Sequence, residues 1–145
     1  PCYHSIFAKN NFRMETNNIK IVKEYFDKFL SGKKEEAFKL LDDKITWTVK
    51  GSDNVPTVGL RKGKKEVEDF FHKFQNTFEP QEFDINHYFS DGDLVFAIGN
   101  FTHYIKENQR LVSSDWLIEF GVINGKITSY KILEDSYALY LAFKK

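Results

Sequence analysis

Gly59-Leu-Arg-Lys-Gly63 runs directly into Lys64-Lys-Glu-Val-Glu-Asp-Phe-Phe71, a glycine-bounded turn followed by the apolar spacing of an amphipathic helix. That helix is expected from Lys64 to about Asn76, with Val67, Phe70, Phe71 and Phe74 on its buried stripe and His72 off it. Upstream, Ile21, Val22, Tyr25, Phe26, Phe29 and Leu30 recur at helical spacing, so Asn18 to about Ser31 reads as a helix closed by Gly32. A short second helix is expected from Glu35 to Leu41, then a strand over Ile45-Thr-Trp-Thr-Val49. Between that strand and the quoted helix, Lys50 to Gly63 reads as a loop long enough to form a rim or lid.

Downstream the apolar period changes from helical to alternating. Phe83, Ile85, His87 and Phe89 alternate with Asp84, Asn86 and Tyr88, and Asp91-Gly92-Asp93 turns the chain into a strand from Leu94 to about Ile105. Lys106 to Gln109 turns it back into a strand from Leu111 to Val122. Asn124-Gly125 marks a hairpin, Lys126 to Leu133 the last strand, and Ser136 to Phe143 a final helix. This order predicts an α+β fold: a cone-shaped domain whose N-terminal helices pack on a curved, mostly antiparallel sheet enclosing a pocket. The strand from Leu94 carries Val95, Ala97 and Phe101 on one face and Phe96 and Ile98 on the other. Both faces are therefore expected to be covered, the outer one by a second copy of the chain in a homodimer.

The 145 residues fit one domain. Of the 41% apolar residues, 15 are Phe, 7 Tyr and 2 Trp, so the interior is built from rings, which suit a core or the lining of a ligand cavity equally. Lys plus Arg and Asp plus Glu each total 21, leaving no global field to recruit nucleic acid or an anionic membrane. The basic cluster Arg61, Lys62, Lys64 and Lys65 is local and is followed by Glu66, Glu68 and Asp69, as on a solvated loop and helix start. Cys2 has no partner for an intramolecular disulfide, and no Cys/His group has metal-ligand spacing, so neither a metal nor a cofactor is expected. No apolar run approaches the roughly 18 residues of a membrane span, and a cytoplasmic protein is expected. Residues 1–13 differ from the rest, and Met14 precedes the first helix. The domain is therefore drawn over 14–145, with 1–13 an N-terminal extension or an expression-derived segment.

Taken together, Ile21-Val-Lys-Glu-Tyr-Phe26 with Ser31-Gly32, Leu40-Leu-Asp-Asp-Lys-Ile-Thr-Trp47, Gly59 to Gly63 before a helix, Asp91-Gly-Asp93, Asn124-Gly-Lys-Ile127 and Glu134-Asp135 resemble the nuclear transport factor 2-like superfamily. The resemblance covers nearly all of residues 18–143 and is to the branch of SnoaL-like polyketide cyclases and ketosteroid isomerase-like proteins. It implies a cystatin-like roll, a pocket at the wide end of the cone and a homodimer through the sheet. It implies no single activity, because members include isomerases, dehydratases, cyclases, epoxide hydrolases and plain binding proteins.

Motif by motif, the resemblance puts Tyr25 at the oxyanion tyrosine of the isomerases, Thr48 at their carboxylate base, and Trp116, beside Asp115, at their second donor. Threonine is no carboxylate base, so that mechanism does not carry over. The acidic set of the epoxide hydrolases falls on Gly99, Phe101 and Ile132, which cannot activate a water. Acidic candidates of the cyclase type are Glu134, Asp135 and Asp115, with Asp135 also reading as the N-cap of the last helix. His87 and His103 lie on adjacent strands, either facing the cavity as proton carriers or sitting at a sheet edge or dimer interface. The expected catalytic set is thus Tyr25, His87, His103 and Glu134. The expected ligand contacts are Tyr25, Thr48, Phe101, Trp116, Tyr130 and Ile132, while Trp47 is expected to complete the core. The ligand expected is a small hydrophobic, carbonyl-bearing molecule, with cofactor-free acid–base isomerase, cyclase or dehydratase chemistry as the leading outcome and non-catalytic ligand binding or a protein-interaction (dimerisation) domain as the alternatives.

Overall fold

The computed structural model describes residues 17–145; the expected domain start at Met14 lies outside them. In chain order it contains α1 (residues 17–30), α2 (Lys34–Phe38), β1 (Leu41–Val49), β2 (Gly59–Lys62), α3 (Lys64–Thr77), β3 (Phe78–Asp91), β4 (Leu94–Ile105), β5 (Leu111–Ile123), β6 (Lys126–Glu134) and α4 (Ser136–Phe143). The strands form one sheet in the order β2-β1-β6-β5-β4-β3. β3 to β6 make the antiparallel meander expected from the hairpin turns, β1 joins β6 in parallel, and β2 pairs antiparallel with β1. The fold is α+β, as the order of periodicities predicts.

Local chemistry ends each helix. At the end of α1, Gly32 takes φ 82°, the Lys33 amide donates to the Lys28 carbonyl at 2.8 Å and the Gly32 amide to the Phe29 carbonyl. This paired closure needs a left-handed residue that glycine supplies without steric cost. At the start of α3 the Gly63 amide donates to the Ile45 carbonyl at 2.7 Å, and the Glu66 carboxylate accepts the Lys62 amide. The quoted turn is thereby tied to β1. α3 buries Val67, Phe70 and Phe71 against α1 and β1, each ring contributing about 1.5–3 kcal/mol relative to exposure.

The concave face of the sheet receives these helices. Along β4, Val95, Ala97, Gly99, Phe101, His103 and Ile105 are buried while their neighbours are half-buried. Gly99 is required by close approach: a Cβ there would lie 1.9 Å from the Asp84 carbonyl and 2.4 Å from the Trp116 ring.

Three local expectations are corrected. The second helix stops at Phe38 and Leu41 opens β1, because Leu41 is drawn into register with Ile127 and the Leu40 carbonyl accepts the Ile127 amide. The end of the Lys50 to Gly63 loop is a strand, since Gly59 to Lys62 satisfy the free edge of β1 from Thr46 to Val49. Finally, β3 carries a bulge between Ile85 and His87, and the extra residue reverses which face the following side chains occupy. Tyr88 joins Phe83 and Ile85 opposite the inward residues of β4, and His87 and Phe89 turn outward.

Candidate functional site

Between the helices and the concave face lies a cavity of about 150 Å³. α1 contributes Tyr25, Phe26 and Phe29, and α3 contributes Phe70, Phe71 and Phe74. The sheet contributes Trp47 and Val49 from β1, Phe101 and His103 from β4, Ile118 from β5, and Tyr130, Ile132 and Glu134 from β6; Leu139 of α4 closes one side. The walls are stiff. Trp47 and Tyr130 stack at 3.6 Å and 4°, Phe101 and His103 at 4.1 Å and 8°, and Phe120 stands edge-on behind Tyr130. Each such pair adds about 0.5–1.5 kcal/mol beyond its buried area.

Four titratable side chains reach this apolar space. Tyr25 and Tyr130 have no side-chain hydrogen bond among the described residues. Burial raises both phenols, and that of Tyr130 is raised further by the charges of Tyr25 and Glu134. Burial also lifts the Glu134 carboxyl to about 7, because a low-dielectric site disfavours its charge. Burial lowers His103 to about 4, opposed in part by the Thr102 backbone. At neutral pH His103 is an uncharged imidazole and Glu134 exchanges its proton freely. The register puts Glu134 opposite Trp116, and His103 opposite Val112, four residues farther along β5 and on its far side. They face the cavity from different parts of its wall.

Of the expected site residues, Tyr25, His103, Glu134, Phe101, Tyr130 and Ile132 line the cavity. Three do not. His87 is exposed and opposite Ile98 on the outer face, a consequence of the β3 bulge. Thr48 shares the outer face with Lys131 and Leu60, its register partners, because alternation turns Trp47 and Val49 inward. Trp116 points inward but is only 2% exposed; Phe83 stacks over it at 5.0 Å and 14°, and its ring fills the space above Gly99. Asp135 is the N-cap of α4: its Oδ1 accepts the Ala138 amide at 3.0 Å, and its own amide donates to Ser114 Oγ at 2.8 Å.

Much of the wall lies outside the expected contact set, Trp47 and Thr57 included. Trp47, read as core, forms part of the wall, and the Ile45-Trp47-Val49 alternation was the available signal. Thr57 belongs to the loop before β2 and is buried at the wall; Arg61 holds that loop by donating to the Thr57 carbonyl at 2.6 Å and packing over the Phe70 ring at 4.8 Å. Among the described residues no group of three His, Cys, Asp or Glu side chains has the arrangement of a metal site, and no helix is long and apolar enough to cross a membrane.

A curved, open sheet over helices with an aromatic cavity at its centre defines an α+β roll with an internal cavity, and comparison with known families names its kind. The sequence matches the SnoaL-like domain over residues 22–130, and the chain belongs to that family. Comparison with curated proteins gave no match. Among solved structures, an NTF2-like protein from Burkholderia xenovorans LB400 is 24% identical, covers 90% of this chain and 98% of its own, and superposes with a TM-score of 0.81. An NTF2-like protein from Burkholderia thailandensis E264 is 16% identical over 88% and 98% of the two chains, with a TM-score of 0.79. TerC, co-crystallised with polyporic acid, is 14% identical over 89% and 99%, with a TM-score of 0.77. These likenesses concern the fold.

Proposed function

We propose that the chain encloses a small, largely apolar carbonyl compound and moves a proton on it without a cofactor, as in isomerisation, cyclisation or dehydration. The observation that carries this reading is Glu134: a carboxyl in an aromatic cavity whose wall also carries two buried phenols, with a pKa of about 7. A general base or acid works best when its pKa lies near the working pH, and buried titratable groups in a concave site are the usual mark of such work. Ionised Glu134 takes a proton from the carbon next to the carbonyl. Tyr25 and Tyr130 donate hydrogen bonds to the oxygen on which negative charge develops. The protonated Glu134 then returns its proton to another carbon, or to a leaving hydroxyl that departs as water. His103, uncharged at neutral pH, orients the ligand from another part of the wall. A fold of this kind taking up a small molecule is exemplified by TerC with polyporic acid.

The test is deuterium uptake next to the carbonyl of a cyclic ketone, followed by NMR from pH 5 to 9. The wild-type rate is expected to rise through about pH 7 as Glu134 ionises. Glu134→Gln should lower it on the order of 100-fold or more, and Tyr25→Phe should lower it while leaving the fold intact. A Glu134→Gln protein as fast as wild type sinks the catalytic role. Binding alone is the second reading, favoured by the outward Thr48 where related isomerases carry a carboxylate base; ligand binding without exchange at any pH would select it.

For assembly, we propose a cytoplasmic homodimer through the outer sheet face. Ile98, Leu117 and Leu133 form one apolar row across β4, β5 and β6, and Leu133 is 45% exposed. Sedimentation should give a dimer that Leu117→Glu dissociates.

A further inference from the structure

We propose that the ligand is a neutral compound of a single ring bearing a carbonyl or enol oxygen, and that multi-ring skeletons and carboxylic acids are excluded. This rests on the reading of the cavity as a small-molecule site and narrows it by size, shape and charge.

Size comes first. The cavity holds about 150 Å³, whereas sites for drug-sized ligands measure about 300–1,000 Å³. An apolar cavity of about 150 Å³ takes one benzene molecule. The walls offer little to yield, because the rings that form them are braced by other rings: Trp47 on Tyr130, Tyr130 against Phe120, and Phe101 on His103. Rotating any of them outward would break a stacked pair in a close-packed interior. A tetracyclic skeleton is several times the size of benzene and would have to be accommodated by such movements.

Shape and polarity follow. Flat ring faces on the wall, the Trp47–Tyr130 and Phe101–His103 stacks, suit a planar guest that stacks with an offset. The Tyr25 and Tyr130 phenols and the Glu134 carboxyl are oxygen groups on this otherwise apolar wall, and an oxygen on the guest gives them a hydrogen-bond partner.

Charge decides the rest. Among the described wall residues there is no Lys or Arg. The titratable groups that face the cavity from all its elements are Tyr25 of α1, His103 of β4, and Tyr130 and Glu134 of β6. None carries positive charge at neutral pH, and Glu134 carries partial negative charge. A carboxylate guest would lose its hydration without gaining a counter-charge.

The experiment is calorimetric titration of the wild-type chain at pH 7 with acetophenone and 2-cyclohexenone, 1-tetralone, progesterone, and benzoate. The one-ring ketones are expected to bind. The two-ring ketone should bind about tenfold more weakly, as overpacking a stiff cavity requires. The four-ring ketone should give no heat of binding, and benzoate should bind at least about tenfold more weakly than acetophenone, as an unpaired buried charge requires. Binding of progesterone as tight as that of acetophenone, or of benzoate as tight as its ketone counterpart, overturns this proposal and leaves the small-molecule reading standing. No binding by any member of the panel overturns both.

Discussion

Replacing Glu134 or His103 should tilt the dependence of stability on pH in opposite directions. The carboxyl of Glu134 has a pKa of about 7 in the folded chain against an ordinary 4.5. The folded state therefore holds this proton more tightly than the unfolded state does. Its contribution is fully present below about pH 4.5 and is lost as the pH rises through 7. At about 1.4 kcal/mol per unit, the loss amounts to about 3 kcal/mol. His103 runs the other way: its pKa of about 4 against an ordinary 6.5 means that the unfolded state gains the proton first as pH falls. Its contribution is fully present above about pH 6.5 and is lost on the way down to 4, again by about 3 kcal/mol. The two slopes oppose each other between about pH 4.5 and 6.5. Urea unfolding followed by tryptophan fluorescence at half-unit steps from pH 4.5 to 8 measures them. Glu134→Gln minus wild type should rise toward higher pH and level off above 7, leaving the variant the more stable protein at pH 8. His103→Phe, which retains a ring to stack on Phe101, should gain stability relative to wild type toward low pH. Difference curves that stay flat for both variants would refute the claim that these groups are buried against their charge.

Other substitutions test the frame of the cavity. Gly99→Ala should destabilise the chain by several kcal/mol, because a methyl group there meets the Asp84 carbonyl and the Trp116 ring at 1.9 and 2.4 Å; an unchanged melting temperature would contradict the close packing of β3, β4 and β5. Asp135→Ala should cost about 1 kcal/mol as a lost helix cap, with Asp135→Asn restoring most of it, measured by the same urea series. If Asp135→Ala instead abolished deuterium exchange at unchanged stability, the carboxylate would have a chemical role that its bond to the Ala138 amide does not account for.

Elements whose sequence carries its own punctuation were legible from the sequence. α3 follows a two-glycine turn and shows a clear helical stripe, the meander is set off by Asp91-Gly92 and Asn124-Gly125, and β4 was read to its observed ends at Leu94 and Ile105. Parity along β6 already put Tyr130, Ile132 and Glu134 on one face, and the cavity lies on that face. Parity along β1 likewise put Thr48 opposite to Trp47 and Val49; transferring a family position onto Thr48 ran against the strand's own alternation. His87 was illegible for a different reason. A bulge leaves no composition signature in Asp84 to Tyr88, yet one inserted residue carries His87 to the other face. β2 was hidden because its four residues, two of them cationic, gain strand geometry only from the free edge of β1.

Under the proposed function, Glu134 joins the stability of this chain to its chemistry. At neutral pH its burial costs free energy that a glutamine of the same shape would not, and the cavity offers it no cation in return among the described residues. Among the described residues, Trp47 Nε1, Trp116 Nε1 and His103 Nδ1 are likewise buried without hydrogen-bond partners, each at a cost of about 1–3 kcal/mol. A domain selected for packing alone would gain by filling this space and neutralising these groups. The aromatic braces instead hold the space open and surround the half-buried carboxyl with apolar groups, and the resulting desolvation lifts its pKa to about 7. Lining the same cavity with smaller side chains would admit water, lower that pKa toward the ordinary value and weaken the carboxylate as a base. Part of the surplus of rings in the sequence, ambiguous between core and cavity when counted, thus lines this void, while Phe89 and Tyr137 stand exposed on the surface.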